Sequence, residues 1–138
     1  MATISTPTVA VTNLTATTVT VTVKYTLTPS SIEKLAGTVF SEKIQLIGDD
    51  PGVISDIVIT NFPEQTFVVS SSTASLNRVR TRTVLKSAMN EDPEFRTTGS
   101  EVVDETLARI TLGYAANAPT SPTLPPPTST NTVTGAWK

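Results

Sequence analysis

The sequence predicts an all-β protein: an antiparallel β-sandwich of about seven to eight strands, with one short helical plug and an extended C-terminal arm. Three observations carry this. From Thr18 to Thr28 the chain reads TVTVTVKYTLT, with Val19, Val21, Val23, Tyr25 and Leu27 alternating against Thr18, Thr20, Thr22, Lys24 and Thr26. Period-two alternation places one set on a buried sheet face and the other on the opposite face. Threonine makes up 27 of the 138 residues, and a β-branched side chain suits an extended backbone better than a helix. Short apolar runs recur between turn-forming Gly, Pro, Asp and Ser clusters, the spacing of an all-β domain.

Taken in order, residues 1–8 are polar, carry Pro7, and read as an N-terminal arm or edge segment, a short arm of this kind being able to add to a neighbouring sheet. A first strand is expected around Val9 to Leu14, and then the long strand, closed by Thr28-Pro29. In SSIEKLAG, Ser30 and Glu33 have capping-box spacing, Ile32, Leu35 and Ala36 share a face, and Gly37 fits the left-handed stop. This predicts a helix of one or two turns plugging one end of the sheets. Thr38 to Ile47 reads as a strand with Phe40, Ile44 and Leu46 pointing one way, followed by a tight turn at Gly48 to Gly52. Val53 to Phe62 is apolar on both parities, as a central strand covered on both faces would be. Phe67 to Val69 is a short strand.

Asn77 to Lys86 alternates again, with Val79, Thr81, Thr83 and Leu85 against Arg78, Arg80, Arg82 and Lys86. An acidic loop, Ser87 to Ser100, precedes a last strand, Glu101 to Tyr114, in which Ala108, Ile110, Leu112 and Tyr114 share a face. The sandwich is thus expected to occupy 9–114. Residues 115–138 hold five of the ten prolines and little charge, which favours a solvated, extended arm with no core of its own.

Composition narrows the chemistry. Net charge is −2, so no basic field draws nucleic acid, and no nucleic-acid partner is expected. The chain has neither cysteine nor histidine, which excludes disulfides and thiolate sites and removes the commonest general base and metal ligand. Asp49, Asp50 and Asp56, and the group Asn90, Glu91, Asp92 and Glu94, match no EF-hand spacing. Ser70 to Ser72 have no histidine to activate them. The expectation is a non-enzymatic protein without cofactor or metal. The first residues lack a basic region followed by an apolar run, so no signal peptide is expected. No stretch reaches the ~18 apolar residues of a membrane span, so no membrane partner is expected either.

Two groups of residues stand out as partner-binding candidates. Arg78, Arg80 and Arg82 form a basic row on one strand face. It is either a phosphate stripe, or it pairs with Glu101, Asp104 and Glu105 of the following strand or with an acidic protein. The acidic balance and the shortage of aromatic side chains favour the second. In the arm, Leu124, Val133 and Trp137 are the apolar anchors for a neighbour's pocket, the alternative being that Val133 and Trp137 fold back on their own sandwich. Burying an indole of about 200 Å² at ~25 cal/mol per Å² would contribute roughly 5 kcal/mol before the arm's ordering cost.

A strand-built body with threonine and proline in excess, no cysteine, no export signal and an arm ending at Trp137 resembles the small virion proteins of tailed bacteriophages, the capsid cement or decoration proteins above all. The resemblance implies a structural protein of the virion, made in the host cytoplasm, that binds the major capsid protein or other virion proteins and bridges neighbouring capsid subunits. It also implies self-association as a dimer or trimer. A tail or baseplate component with the same body, and a carbohydrate- or protein-binding immunoglobulin-like module, are the alternatives.

Overall fold

A computed structural model of the chain describes residues 2–12, 15–48, 57–89, 104–120 and 124–135. Its strands are β1 (Thr3–Thr12), β2 (Thr18–Thr28), β3 (Val39–Gly48), β4 (Ile57–Asn61), β5 (Gln65–Val68), β6 (Leu76–Leu85), β7 (Asp104–Ala116), β8 (Thr128–Ser129) and β9 (Val133–Gly135). Helix α1 spans Ser31–Ala36 and α2 spans Lys86–Met89. One sheet has the order β1-β2-β6. The other runs β4-β3-β7-β8, with β5 also on β3 and β9 also on β7. Every pairing is antiparallel, and the two sheets face each other as a sandwich.

The alternation in β2 is realised as expected: Val19, Val21, Val23, Tyr25 and Leu27 are buried. Opposite them the second sheet contributes Phe40, Ile44, Leu46, Ala108, Ile110 and Leu112, and these side chains form one core. Met89 of α2 and Phe62, in the break between β4 and β5, complete it.

Several expectations are corrected. Residues 3–8 are an edge segment of their own sheet and not a free arm, since β1 begins at Thr3 and pairs with β2 from Thr3↔Thr28 onward. Pro7, which lacks a backbone donor, sits where the register shifts between Ser5 and Thr8, and Thr6 takes φ +47° there. An edge strand absorbs a proline in this way. β4 lies at the edge of its sheet and not at its centre, with Val58 exposed. The expected strand residues 53–56, like the turn residues 49–52, lie outside the described residues.

Helix α1 has the expected caps. Ser30 accepts from the Glu33 amide, Glu33 accepts from the Ser30 amide, and Gly37 closes the helix at φ +62°. Its buried side chain, however, is Glu33, whereas Ile32 and Leu35 are exposed. The carboxylate is held inside by its second oxygen, which accepts from the Tyr114 hydroxyl at 2.7 Å. A helix so short can turn one residue inward, and the residue with hydrogen-bond partners waiting for it is the acidic one.

The boundary expected at residue 115 is also moved. β7 continues to Ala116, and residues 124–135 return along the edge of β7 instead of extending away from the body. The short strands β8 and β9 therefore belong to the sandwich.

Candidate functional site

The arginine row of β6 faces inward. β6 pairs with β2 in a register that sets Arg82 opposite Val21, Arg80 opposite Val23 and Arg78 opposite Tyr25, so these side chains share the core-facing side of the sheet. Val79, Thr81, Thr83 and Leu85 point outward. The hairpin pairing expected with Asp104 and Glu105 does not form, because β6 and β7 belong to different sheets. Glu101 lies outside the described residues.

The partner is Glu42. It occupies the same parity of β3 as Phe40, Ile44 and Leu46 and is fully buried. Its Oε2 accepts from Arg78 Nε at 3.0 Å and from the Tyr25 hydroxyl, while its Oε1 accepts from Arg80 Nη1 and from Arg78 Nη2 at 3.3 Å. The guanidinium groups reach further: Arg80 Nη2 donates to the Pro63 carbonyl at 2.6 Å, and Arg78 Nη2 donates to Gln65 Oε1 at 3.0 Å. Arg78 also lies 4.4 Å over the Phe67 ring. Burial pushes the Glu42 carboxyl upward, but the hydrogen bonds from Arg78, Tyr25 and Arg80 outweigh it and hold the group below the ordinary carboxylate range. Tyr25 is pushed well above the usual phenol range by burial and by the carboxylate beside it.

Both oxygens of Glu42 are thus occupied, and the cluster closes one side of the sandwich by tying β6 to β3 and to the β4–β5 break. Its chemistry is that of an electrostatic staple between sheets. Arg82 stands apart, half-buried in a cleft with Ile59, Thr60, Val84, Leu85 and Ala88. One signal for the cluster was present in the sequence: Glu42 falls on the inward parity of β3, and a buried carboxylate demands cations.

The opposite side is closed by the C-terminal segment. β8 pairs Arg109↔Ser129 and Ile110↔Thr128, and β9 pairs Asp104↔Gly135, Glu105↔Thr134 and Thr106↔Val133. The register shifts by one residue between them. Thr130 covers the gap, its amide donating to the Ala108 carbonyl and its Oγ1 accepting from the Ala108 amide. Asn131 is turned toward β1, where its Oδ1 accepts from the Val9 amide at 2.9 Å and its Nδ2 donates to the Val9 carbonyl at 3.3 Å. One side-chain amide thereby pairs with an edge strand as a backbone peptide would. Leu124 and Val133 are half-buried against the core, so these two expected partner anchors rest on their own chain. Trp137 lies outside the described residues.

Two outcomes follow. Asn131→Ala removes both bonds to the β1 edge and is expected to cost about 1–2 kcal/mol in urea denaturation, with faster amide exchange at Val9. Thr106 is fully buried on β7, and among the described residues its hydroxyl has no hydrogen-bond partner. Thr106→Val is therefore expected to raise stability by about 1 kcal/mol.

The outer face of the three-stranded sheet is the third feature. Thr18, Thr20, Thr22, Thr26 and Thr28 of β2 are flanked by Thr12, Ala10, Thr8 and Ser5 of β1 and by Thr81 and Thr83 of β6. Lys24 is the one charge on this face of β2. Val79 and Leu85, each 57% exposed, lie on the β6 side.

Neither the protein-family models nor the curated protein sequences yield a match to this chain.

Proposed function

We propose that the chain is a non-enzymatic structural protein of a phage particle, of the capsid cement or decoration kind, which seats its sandwich on the major capsid protein or other virion proteins and self-associates as a dimer or trimer. The observation that carries this reading is the outer face of the β1-β2-β6 sheet. It is broad, rich in hydroxyls, nearly uncharged, and edged by the exposed apolar side chains of Val79 and Leu85. Such a face costs less to dehydrate than a charged one once its hydroxyls find partners, and it offers both hydrogen bonds and apolar contact to a protein surface. The staple beneath it supplies rigidity, since Glu42, Arg78 and Arg80 are engaged with one another inside the sandwich. A sugar platform fits less well: Tyr25, Phe40 and Phe62 are buried, and among the described residues no aromatic ring is fully exposed.

The test is sedimentation of particles from lysates of the source host, probed with an antibody against the chain. The chain is expected to travel with intact shells. A paired Thr81→Glu and Thr83→Glu substitution, at exposed positions of that face, is expected to lower its occupancy at least tenfold. A chain that remains in the soluble fraction would overturn the reading, and one found only on tails would move it to the tail.

A further inference from the structure

We infer that the free edge of β6 is a docking edge for an extended, acidic segment of another protein, which joins the three-stranded sheet as a fourth strand and seats a carboxylate against Arg82. This goes beyond the reading above, since it uses the edge of the sheet and not its outer face, and it does not depend on the partner being a viral shell.

The Lys86 amide donates to the Thr17 carbonyl at 2.8 Å, one step beyond the pair Thr18↔Leu85. Directly opposed residues of an antiparallel ladder alternate between pairs that exchange both hydrogen bonds and pairs that exchange none. Leu76, Arg78, Arg80, Arg82 and Val84 therefore bond to β2 through their backbone, whereas Asn77, Val79, Thr81 and Thr83 turn their peptide groups away from it. β6 pairs with no other strand, its register with β2 is unbroken from Leu76 to Leu85, and these outward residues are all exposed. The same alternation carried across β2 turns Val9 of β1 outward, and there the Asn131 side-chain amide fills the place of a neighbouring strand. With its register broken at Pro7 as well, β1 is guarded as edge strands commonly are; β6 has neither proline, bulge nor clip.

The side chains select the occupant. On its inward parity an added strand meets Arg78, Arg80 and Arg82, at the positions without direct hydrogen bonds, where opposed side chains come closest. Arg78 and Arg80 share Glu42, while Arg82 makes no ion pair or hydrogen bond with any described residue. Arg82 lines a cleft of about 200 Å³ with Ile59, Thr60 and Ala88, below the size of a small-molecule pocket and open to a single side chain. A half-buried cation without a counter-ion is the complement of a carboxylate. A second copy fits poorly, because antiparallel pairing of β6 with itself lays one arginine row against the other. A neutral strand would cover Arg82 without neutralising it, so the row discriminates in favour of acidic segments. On the outward parity, exposed Val79 offers contact to an apolar side chain.

The probes are nine-residue peptides of alternating threonine and valine on a glycine-serine tail, with glutamate, glutamine or lysine at the central threonine position. Fluorescence anisotropy measures their binding to the full-length chain, and NMR amide exchange locates it. The glutamate peptide is expected to bind at least about tenfold more tightly than the glutamine peptide, and the lysine peptide most weakly. In the free chain the amides of Asn77, Val79, Thr81 and Thr83 should exchange fast and those of Arg78, Arg80 and Arg82 slowly; the glutamate peptide should slow the first set. Arg82→Gln is expected to level the three affinities, and Arg82→Glu to reverse the order of the glutamate and lysine peptides.

Thr81→Pro removes one outward N–H and none from the β2 ladder, and is expected to weaken all three peptides at least tenfold. If that variant does not fold, the Arg82 variants decide. Absence of saturable binding, equal affinities for the three peptides on the parent chain, or slow exchange of the outward amides in the free, dilute chain would each overturn the inference. So would protection of those amides by concentration alone, together with a dimer in light scattering, since the edge would then belong to a second copy.

Discussion

Glu42→Ala is expected to lose about 3–5 kcal/mol of folding stability, because it leaves two arginines inside the sandwich without their shared counter-ion. Arg80 is nearly buried and Arg78 mostly so, and both aim their donors at the same carboxylate. The Tyr25 hydroxyl loses its acceptor at the same time. Urea denaturation measures the loss directly. The companion experiment replaces Glu42, Arg78 and Arg80 together by leucine and methionine, and that triple variant is expected to be far more stable than the single one, near the parent or above it. If the single variant loses less than about 1 kcal/mol, the cluster is no more than a solvated surface network.

The same group sets the response to acid. The folded-state pKa of Glu42 is depressed, so its contribution is fully present above the unfolded value of about 4.3 and is lost as pH falls through the lower folded value. Stability should therefore decline steeply at acid pH. Glu42→Gln should flatten that part of the profile. Tyr25 has the opposite sense: its raised pKa means that stability is present below the ordinary phenol value of about 10 and falls as pH rises beyond it.

Phe40→Ala is the second large loss, expected at about 3–5 kcal/mol. Phe40 is fully buried and stands between Phe67 on β5 and Tyr114 on β7, each ring centroid 5.6 Å away. The two neighbours lead outward, Phe67 to the Arg78 guanidinium and Tyr114 to Glu33 under helix α1. Removing the middle ring leaves a cavity and loosens both ends of the row. Phe40→Leu should cost clearly less, and amide exchange in α1 should rise in the alanine variant alone.

How much of this was legible depends on whether the inward face of a strand is also its apolar face. In β2 it is, and Val19 to Leu27 could be assigned from alternation. In β3 the parity of Phe40, Ile44 and Leu46 was legible, and Glu42 lay unremarked on the same parity. In β6 the two parities are equally apolar, Leu76 and Val84 against Val79 and Leu85, and the arginines go inside with Leu76 and Val84 because a carboxylate on the other sheet draws them. That is a long-range decision no local window contains. The C-terminal segment failed for a related reason. Its prolines describe the connection, whereas Thr130, Asn131 and Val133, which dock it, are ordinary residues whose effect depends on a β7 edge far away in sequence.

The inward row has one further result. A one-residue slip of β6 against β2 would turn Val79, Thr81, Thr83 and Leu85 toward the core in place of Leu76 and Val84, an exchange of two large apolar side chains for two that hydrophobicity alone hardly distinguishes. Glu42 would then face hydroxyls and methyl groups with its charge uncompensated. The mispaired sandwich is thereby rejected while the chain assembles, and the guanidinium row serves as proofreading for the alignment of its own strand.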